Sequence, residues 1–213
     1  MTNLSNQDSG SFSEHHDALD WLDPAVLRPR FEGKSIFVGI TGGIAVYKVC
    51  TIVSRLAQAG ARVSVGMTPS AREFVTPTTF QALSGNPVYT DSWEHIESND
   101  PQHIALADRC DGAIVAPCTM NTLANLVHGR ADDVVSLILA AIDRQRTPVL
   151  LALAMNEAMW NQPSTQRNVR QAAKDGFVLV GPDDGWQACR HCGTGRMSEP
   201  EACIEALADA LRR

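Results

Sequence analysis

The chain has 213 residues, of which 44% are hydrophobic and 20% charged, with a formal net charge of −6 and a pI near 5.5. This length permits one sizeable core in a single domain. The acidic balance lacks the basic footprint of a nucleic-acid or anionic-membrane binder. No apolar run reaches the roughly 20 residues of a spanning helix, and the first cation is Arg28, so no signal segment is indicated. We expect a cytoplasmic protein with reduced thiols and neither nucleic-acid nor membrane partners.

Residues 1–33 are predicted to be a mobile N-terminal tail, because they are mostly polar and acidic. A short amphipathic turn is the only structure expected there, at residues 18–22. The remaining 34–213 are predicted to form a single domain.

Within that domain, apolar runs typical of strands alternate with segments of helical periodicity. The predicted strands are 35–40, 61–68, 111–117, 147–154 and 177–181. The predicted helices are 44–60, 70–75, 76–85, about 101–110, 119–127, 132–143, 165–176 and 200–213. Strands that are apolar throughout and alternate with helices predict an α/β fold, a doubly wound three-layer sandwich with a parallel sheet. Such folds bind ligands beyond the carboxyl ends of their strands.

The first strand end carries Thr41-Gly42-Gly43-Ile44 directly before a helix. Glycines and free N–H groups at a helix N-terminus favour a phosphate. The run is not the G-x-G-x-x-G fingerprint, so a mononucleotide is favoured over a dinucleotide. A tight turn that simply needs two glycines is the alternative.

The next two strand ends carry hydroxyl groups. Thr68 follows the second strand, and Pro117-Cys118-Thr119-Met120-Asn121-Thr122 ends the third. These groups suit a flat heteroaromatic ligand with ribityl and phosphate oxygens, but they would equally cap helices.

Three further features stand near strand ends. His103 opens a predicted helix, where a lone histidine is more often structural or exposed. Cys189 and Cys192 form a C-x-x-C pair in a glycine-rich loop; zinc would need two more ligands, and a redox disulfide would need a helix start, so a flexible loop presenting one thiol is favoured. Asn156 lies between Met155 and the Met159-Trp160 pair just past a buried strand.

Five segments of the chain together resemble the phosphopantothenoylcysteine decarboxylase domains of the homo-oligomeric flavin-containing cysteine decarboxylase family. These are ITGGIAVYK, MTPSAREFVTPTTFQALSGNPVYTD, HIALADRCDGAIVAPCTMNTLANLVHGRADD, LALAMNEAMWNQPSTQRN and GWQACRHCGTGRM. They occur in the family's order over about residues 34–200.

The resemblance implies a flavodoxin-like fold, homotrimers that can combine into dodecamers, and FMN at a subunit interface. It implies FMN-dependent decarboxylation of 4′-phosphopantothenoylcysteine to 4′-phosphopantetheine in coenzyme A biosynthesis. The thiol-bearing carbon is oxidised, CO₂ leaves, and the resulting enethiol is reduced again. If the chain ends where the sequence does, a separate phosphopantothenate–cysteine ligase is also implied; the other interpretation is a truncated bifunctional protein.

The resemblance also assigns roles by position. His103, Asn156 and Cys189 would be catalytic, with Asn156 binding the substrate carboxylate and Cys189 protonating the enethiolate. Met155 and Ala188 would join Asn156 in substrate binding, and Met159 and Trp160 would keep the site dry. The cofactor would contact the strand-end residues: Gly42, Gly43, Ile44, Thr68, Pro117, Cys118, Thr119, Asn121 and Thr122. No metal is expected.

Two positions depart from the family's pattern. Leu153 stands where the family has proline, and Cys192 and two cationic or titratable neighbours, Arg190 and His191, follow Cys189. A cation there would lower the pKa of Cys189, whereas pairing with Cys192 would inactivate it.

Two other functions stay open. One is the oxidative decarboxylation of another C-terminal-cysteine substrate, and the other is that of a regulatory flavoprotein that serves as a binding module. A third class, the flavin prenyltransferases, fits poorly, because the phosphate turn of those enzymes contains serine. Lys48, Arg130 and Arg196 are candidates for binding a substrate phosphate.

Overall fold

The computed structural model describes residues 23–93, 101–188 and 190–212. In this part of the chain the strands are β1 Ser35–Ile40, β2 Arg62–Met67, β3 Val88–Tyr89, β4 Gly112–Cys118, β5 Val149–Leu153, β6 Val178–Val180, β7 Asp183–Trp186 and β8 Cys192–Arg196. The helices are α1 Pro24–Phe31, α2 Val46–Gln58, α3 Pro77–Ser84, α4 Gln102–Asp108, α5 Met120–Val127, α6 Val134–Ala141, α7 Glu157–Trp160, α8 Pro163–Lys174 and α9 Pro200–Ala210. A 3-10 turn, Pro69–Glu73, follows β2.

Six strands form one parallel sheet in the order β3-β2-β1-β4-β5-β6. Without the two-residue β3, the remaining order is the 2-1-3-4-5 arrangement of flavodoxin-like folds. The chain reverses direction of winding between β1 and β4, and a crevice opens there beyond the strand ends. The predicted α/β doubly wound fold is therefore confirmed.

Side chains alternate between two apolar layers, one on each face of the sheet. In β1, Ile36, Val38 and Ile40 pack with α1, α2, α3 and α9, whereas Phe37 packs with the opposite layer of α4, α5, α6 and α8. Because both faces are covered, the strands are apolar throughout, as the sequence pattern indicates.

The folded domain begins earlier than residue 34. Residues 24–31, which the sequence assigns to the tail, form α1, and Leu27 and Phe31 are buried against the layer that contains α2. Asp23 caps this helix by accepting a hydrogen bond from the Ala25 N–H at 2.8 Å. The expected tail of 1–22, with its turn at 18–22, lies outside the described residues.

The glycine-rich segment after β6 is not a loop throughout. β7 and β8 pair as an antiparallel ribbon beside the sheet, with Trp186 opposite Cys192. Gly185 and Gly195 adopt φ values of 153° and 145°, which side chains rarely adopt.

Among the described residues, no helix is long and apolar enough to cross a membrane.

Candidate functional site

A cavity of about 1320 Å³ lies beyond the carboxyl ends of β1, β2, β4 and β5. We call it the switch-point cavity. The residues after β1 and β4 form one side of it, and the residues after β5 together with the β7–β8 ribbon form the other.

Hydrogen bonds fix the backbone where β1 and β4 end. The Thr41 hydroxyl donates to the Pro117 carbonyl at 2.5 Å and accepts from the Thr119 N–H at 3.3 Å. Thr119 in turn caps α5, since its Oγ1 accepts from the Thr122 N–H at 3.3 Å. Thr41 was not predicted as a site residue, although it precedes the glycine pair.

Gly42 is required by a close approach between two loops. A Cβ at this position would overlap the side chain and backbone of Ser70, in the 3-10 turn after β2. A Cβ on Gly43 would meet only ordinary contacts, at 3.5 Å from Pro117 Cγ and 3.6 Å from Thr119 Cγ2. The two glycines of the turn therefore differ: only Gly42 is required by space.

The N-terminus of α2 is open toward this turn. Ala45 precedes α2 and provides no side-chain cap, whereas Thr119 and Asp133 cap α5 and α6. This helix of 13 residues starts beside two cavity-lining glycines, which places the positive end of its dipole at the cavity, although the Val46 and Lys48 N–H groups donate to the Gly43 and Ala45 carbonyls at 3.0 Å. This end of the cavity fits a phosphate group.

Thr68 is buried after β2, and its hydroxyl caps the 3-10 turn by accepting from the Ala71 N–H at 3.3 Å. Within the chain, the Thr68 hydroxyl therefore acts as a helix cap, which is one of the two roles that the sequence left open. Thr68 also lines the cavity.

Asn156 caps the four-residue helix α7. Its Oδ1 accepts from the Met159 N–H at 2.8 Å, which leaves the exposed Nδ2 group as a donor without a partner among the described residues. The cap therefore fixes which end of the amide is available to a ligand: a neutral N–H donor, suited to a carboxylate.

Lys48 and Arg196 share one carboxylate at the cavity wall. The buried Lys48 Nζ lies 2.9 Å from Glu199 Oε1 and donates to the Met197 carbonyl at 3.1 Å. Arg196 Nη1 lies 3.0 Å from the same oxygen, and Arg196 Nε is buried without a hydrogen-bond partner among the described residues. The third predicted cation, Arg130, pairs with Asp132 and does not line the cavity.

The cavity is not cationic overall. Besides its two cations it is lined by four carboxylates: Asp132, Asp133, Glu199 and Glu201. Asp133 is occupied by capping α6, with Oδ1 2.9 Å from the N–H groups of Val135 and Ser136. An anion would therefore be held by N–H groups and by the local Lys48–Arg196 pair rather than by net charge.

Most of the predicted site residues meet at this cavity. Those that line it are Gly42, Gly43, Ile44, Thr68, Thr119, Asn121, Thr122, Met155, Asn156, Met159 and Ala188. Cys189 lies outside the described residues.

Four predicted residues are placed elsewhere. Pro117 does not line the cavity but accepts the Thr41 hydrogen bond. Cys118 is fully buried in the apolar layer behind the site, and burial raises the pKa of its thiol to about 12. Trp160 packs against that same layer. His103 is half-buried near the start of α4, away from the cavity wall.

Leu153 occupies the position at which the family pattern has proline. It is the last residue of β5, and its side chain is fully buried in the core. The loop that follows is held by backbone hydrogen bonds from Ala154 to Cys118 and from Met155 to Gly195, at 3.0 and 2.9 Å.

Several cavity residues were not predicted: Ser70, Met120, Asn125, Gln187 and Glu199. Glu199 alone had a usable signal, since it follows Arg196 by three residues and directly precedes Pro200, a common helix start.

The family model for flavoproteins matches residues 28–212. The chain belongs to the flavoprotein family. It is 42% identical over 172 residues to the coenzyme A biosynthesis bifunctional protein CoaBC of Bacillus subtilis, a match that covers 81% of this chain and 42% of that protein. The chain thus spans less than half the length of this relative.

Two solved structures of cysteine decarboxylases are similar to the whole domain. One is a mutant PPC decarboxylase complexed with pantothenoylaminoethenethiol, with a TM-score of 0.76, 26% identity and coverage of 84% of this chain and 99% of that one. The other is the FMN-dependent cysteine decarboxylase SpaF, with a TM-score of 0.74, 26% identity and coverage of 86% and 99%.

Proposed function

We propose that this flavoprotein binds FMN and decarboxylates 4′-phosphopantothenoylcysteine to 4′-phosphopantetheine. The observation that carries the proposal is the meeting of two half-sites at one cavity. An uncapped helix start beside Gly42 and Gly43 faces the same space as the Nδ2 donor of Asn156. The similarity to CoaBC and to the PPC decarboxylase structure supports this choice of substrate.

The residues after β1 and β4 fit the cofactor. The N–H groups at the start of α2 would hold its phosphate, while Thr119, Asn121 and Thr122 present hydroxyl and amide groups to the cavity for its ribityl chain and ring. Bound FMN would supply reversible two-electron redox chemistry at the thiol-bearing carbon of the substrate.

Asn156 would hold the substrate carboxylate with its Nδ2 group. A neutral donor is suited to this task because the charge must leave as CO₂, and a cation would stabilise the ground state that has to be abandoned. Met155 and Met159 line the cavity beside it and would exclude water from the reacting carboxylate.

Cys189 would supply the proton to the enethiolate during the reductive half. Its neighbour Ala188 lines the cavity, and the turn at 187–191 connects the two strands of the ribbon at the same wall. Lys48 and Arg196 are the cations available to the substrate's phosphate.

His103 stays a catalytic prediction that the single chain does not complete. If FMN binds between subunits, as the resemblance implies, His103 would serve the cavity of a neighbouring copy. The homotrimer, the dodecamer and a phosphopantothenate–cysteine ligase partner likewise remain predictions, as does the cytoplasmic location.

Two substitutions test the assigned roles. Cys189→Ser should still release CO₂ but accumulate the oxidised enethiol, because the proton donor for the reductive half is missing. Asn156→Asp should retain FMN and lose decarboxylation, since a second carboxylate would repel the first. Full turnover by Cys189→Ser, or a colourless Asn156→Asp protein, would contradict the assignment; product mass spectrometry and flavin absorbance measure both.

A second candidate, oxidative decarboxylation of another peptide-like cysteine substrate, is favoured by one observation: SpaF is as similar in structure as the PPC decarboxylase. The same product analysis separates the two, because an oxidative enzyme stops at the enethiol.

A further inference from the structure

The β7–β8 ribbon is bonded to the chain on both sides of Asn156. On one side, the Met155 N–H donates to the Gly195 carbonyl of β8 at 2.9 Å. On the other, the Glu157 N–H donates to Oε1 of Gln187, the residue after β7, at 3.2 Å. The residues on either side of Asn156 are thus each hydrogen-bonded to the ribbon, one to β8 and the other to the residue that follows β7.

Gln187 is built into this contact rather than lying on the surface. The residue is only 8% exposed and lies at the cavity wall. Its backbone N–H donates to the His191 carbonyl at 2.9 Å, and its carbonyl accepts from the Arg190 N–H at 2.9 Å, so the turn of the ribbon fixes the residue on its main chain. The side-chain oxygen then reaches across to the first turn of α7.

The helix α7 depends on these side chains because it is only four residues long. Its first N–H groups have no intrahelical partners, and two of them are satisfied by side-chain oxygens: Glu157 by Gln187 and Met159 by Asn156. Without the Gln187 contact, only the hydrogen bond from the Met159 N–H to Asn156 would hold the first turn of α7, and the orientation of the Asn156 side chain would be less restricted.

Glycine at position 193 makes the contact close. A Cβ there would lie 2.6 Å from the Glu157 carboxyl carbon, so the ribbon backbone and the Glu157 side chain are in direct contact. The ribbon and the Asn156 loop therefore behave as one packed unit.

From these contacts we propose that Gln187 is a positioning residue that orients the Asn156 Nδ2 donor toward a ligand carboxylate. The inference rests on the proposed function, in which Asn156 binds the carboxylate of the substrate. Gln187 itself acts through the N–H of Glu157 and needs no contact with the carboxylate.

The test is a comparison of two ligands, with and without the carboxylate. 4′-Phosphopantothenoylserine keeps the carboxylate but lacks the thiol that is oxidised, and 4′-phosphopantetheine lacks the carboxylate. Their dissociation constants are measured calorimetrically with the FMN-loaded protein and with its Gln187→Met variant, which keeps the side-chain length and removes the acceptor.

We expect Gln187→Met to weaken binding of the serine ligand about five- to tenfold, the effect of one lost hydrogen bond, and to leave phosphopantetheine binding within twofold. Equal weakening of both ligands would mean a merely structural role and would overturn the proposal, as would unchanged binding of both.

Gln166→Met is the matched control. Gln166 Nε2 donates to the Trp160 carbonyl at 2.8 Å, so it contacts the other end of α7 and does not line the cavity. This variant should bind both ligands as the wild type does; loss of discrimination in it would show that any disturbance of α7 suffices, which overturns the specific role of Gln187.

The two levels of the account fail differently. If the wild-type protein binds the carboxylate ligand no more tightly than an Asn156→Ala variant does, the role of Asn156 in the proposed function is wrong. If the wild type prefers it and Gln187→Met does so equally, only the Gln187 inference is wrong.

Discussion

The two walls of the switch-point cavity are built differently. The cofactor wall consists of the ends of β1 and β4, where Thr41, Pro117 and Thr119 bond to one another directly behind the cavity. The substrate wall consists of the Asn156 loop and a two-stranded ribbon outside the main sheet, and it exposes Trp186 to 64%. One wall is part of the core, and the other is attached to it by a few hydrogen bonds and ion pairs.

Because of this difference, we expect substitutions in the two walls to have separate effects. Changes in the cofactor wall should affect stability and flavin retention together, because the same backbone serves both. Changes in the substrate wall should affect substrate binding at constant flavin content.

The largest effect is expected from Gly42→Ala. The added Cβ would overlap Ser70, including its backbone, so the turn and the 3-10 segment must separate. We expect at least a tenfold loss of flavin retention and a free energy of unfolding lower by about 1–3 kcal/mol. Flavin absorbance per protein and thermal unfolding measure the two.

Gly43→Ala is the control, because its Cβ would meet only contacts of 3.5 and 3.6 Å. It should keep both the flavin and the stability nearly unchanged. If the two variants behaved alike, the close approach at Ser70 would not be the reason for glycine at position 42.

A smaller effect is expected from Glu199→Gln. The substitution leaves the buried Lys48 with the Met197 carbonyl alone and removes the partner of Arg196. Leaving a buried cation unpaired costs several kcal/mol, but Glu199 is about half exposed, so we expect a loss of about 1–2 kcal/mol in the free energy of unfolding. Chemical denaturation measures this value.

We expect Glu199→Gln to keep its flavin, because Glu199 and Arg196 lie on the ribbon side of the cavity and Lys48 reaches Glu199 from α2 through its side chain, without involving the turn at Gly42. Loss of flavin at unchanged stability would contradict the separation of the two walls. Glu201→Gln is a suitable control, since Glu201 also lines the cavity but forms no ion pair in the described chain.

The smallest effect concerns thiol reactivity at the two walls. Burial raises the pKa of Cys118 to about 12, whereas Cys192 is exposed on the ribbon. The thiolate is the reactive form, so in the native protein at pH 8 iodoacetamide should modify Cys192 and leave Cys118 intact. Peptide mass spectrometry after brief treatment measures this, and modification of Cys118 at a comparable rate would show that the cofactor wall opens.

The raised pKa also sets a sign for stability. Because the folded pKa of Cys118 exceeds the ordinary thiol value, its neutral form favours the native state below about pH 9, and this contribution is lost as the pH rises toward 12. The buried thiols of Cys110 and Cys203, with pKa values raised to about 11 and 12, act in the same direction.

The sheet could be predicted from sequence because its strands are unambiguous. The run 35–40 is strongly apolar and ends at Thr41-Gly42-Gly43, and the observed β1 has the same bounds. The ends of parallel strands determine which loops meet, so the sequence alone predicts that Gly42, Thr119 and Asn156 lie at one site, and all three line the cavity.

Other features escaped prediction for physical reasons. The ribbon has no apolar alternation, and its glycines are typical of loops, so pairing between Trp186 and Cys192 leaves no signal in either strand. Only Leu27 and Phe31 of α1 are buried, which is too few to distinguish a docked helix from a tail. Cys118 is predicted to contact the cofactor because it lies in the run that the resemblance assigns to FMN. The register irregularity of β4 between Val115 and Cys118 instead places its side chain in the same apolar layer as Val115.

The proposed decarboxylation is tested most directly by product mass spectrometry after the yellow, purified protein is incubated with 4′-phosphopantothenoylcysteine. The account predicts loss of CO₂ alone, giving 4′-phosphopantetheine, which requires both the oxidative and the reductive half at this cavity. Loss of CO₂ together with two hydrogens would contradict the role of Cys189 in the reductive half. No reaction by protein that holds FMN would contradict the proposed substrate.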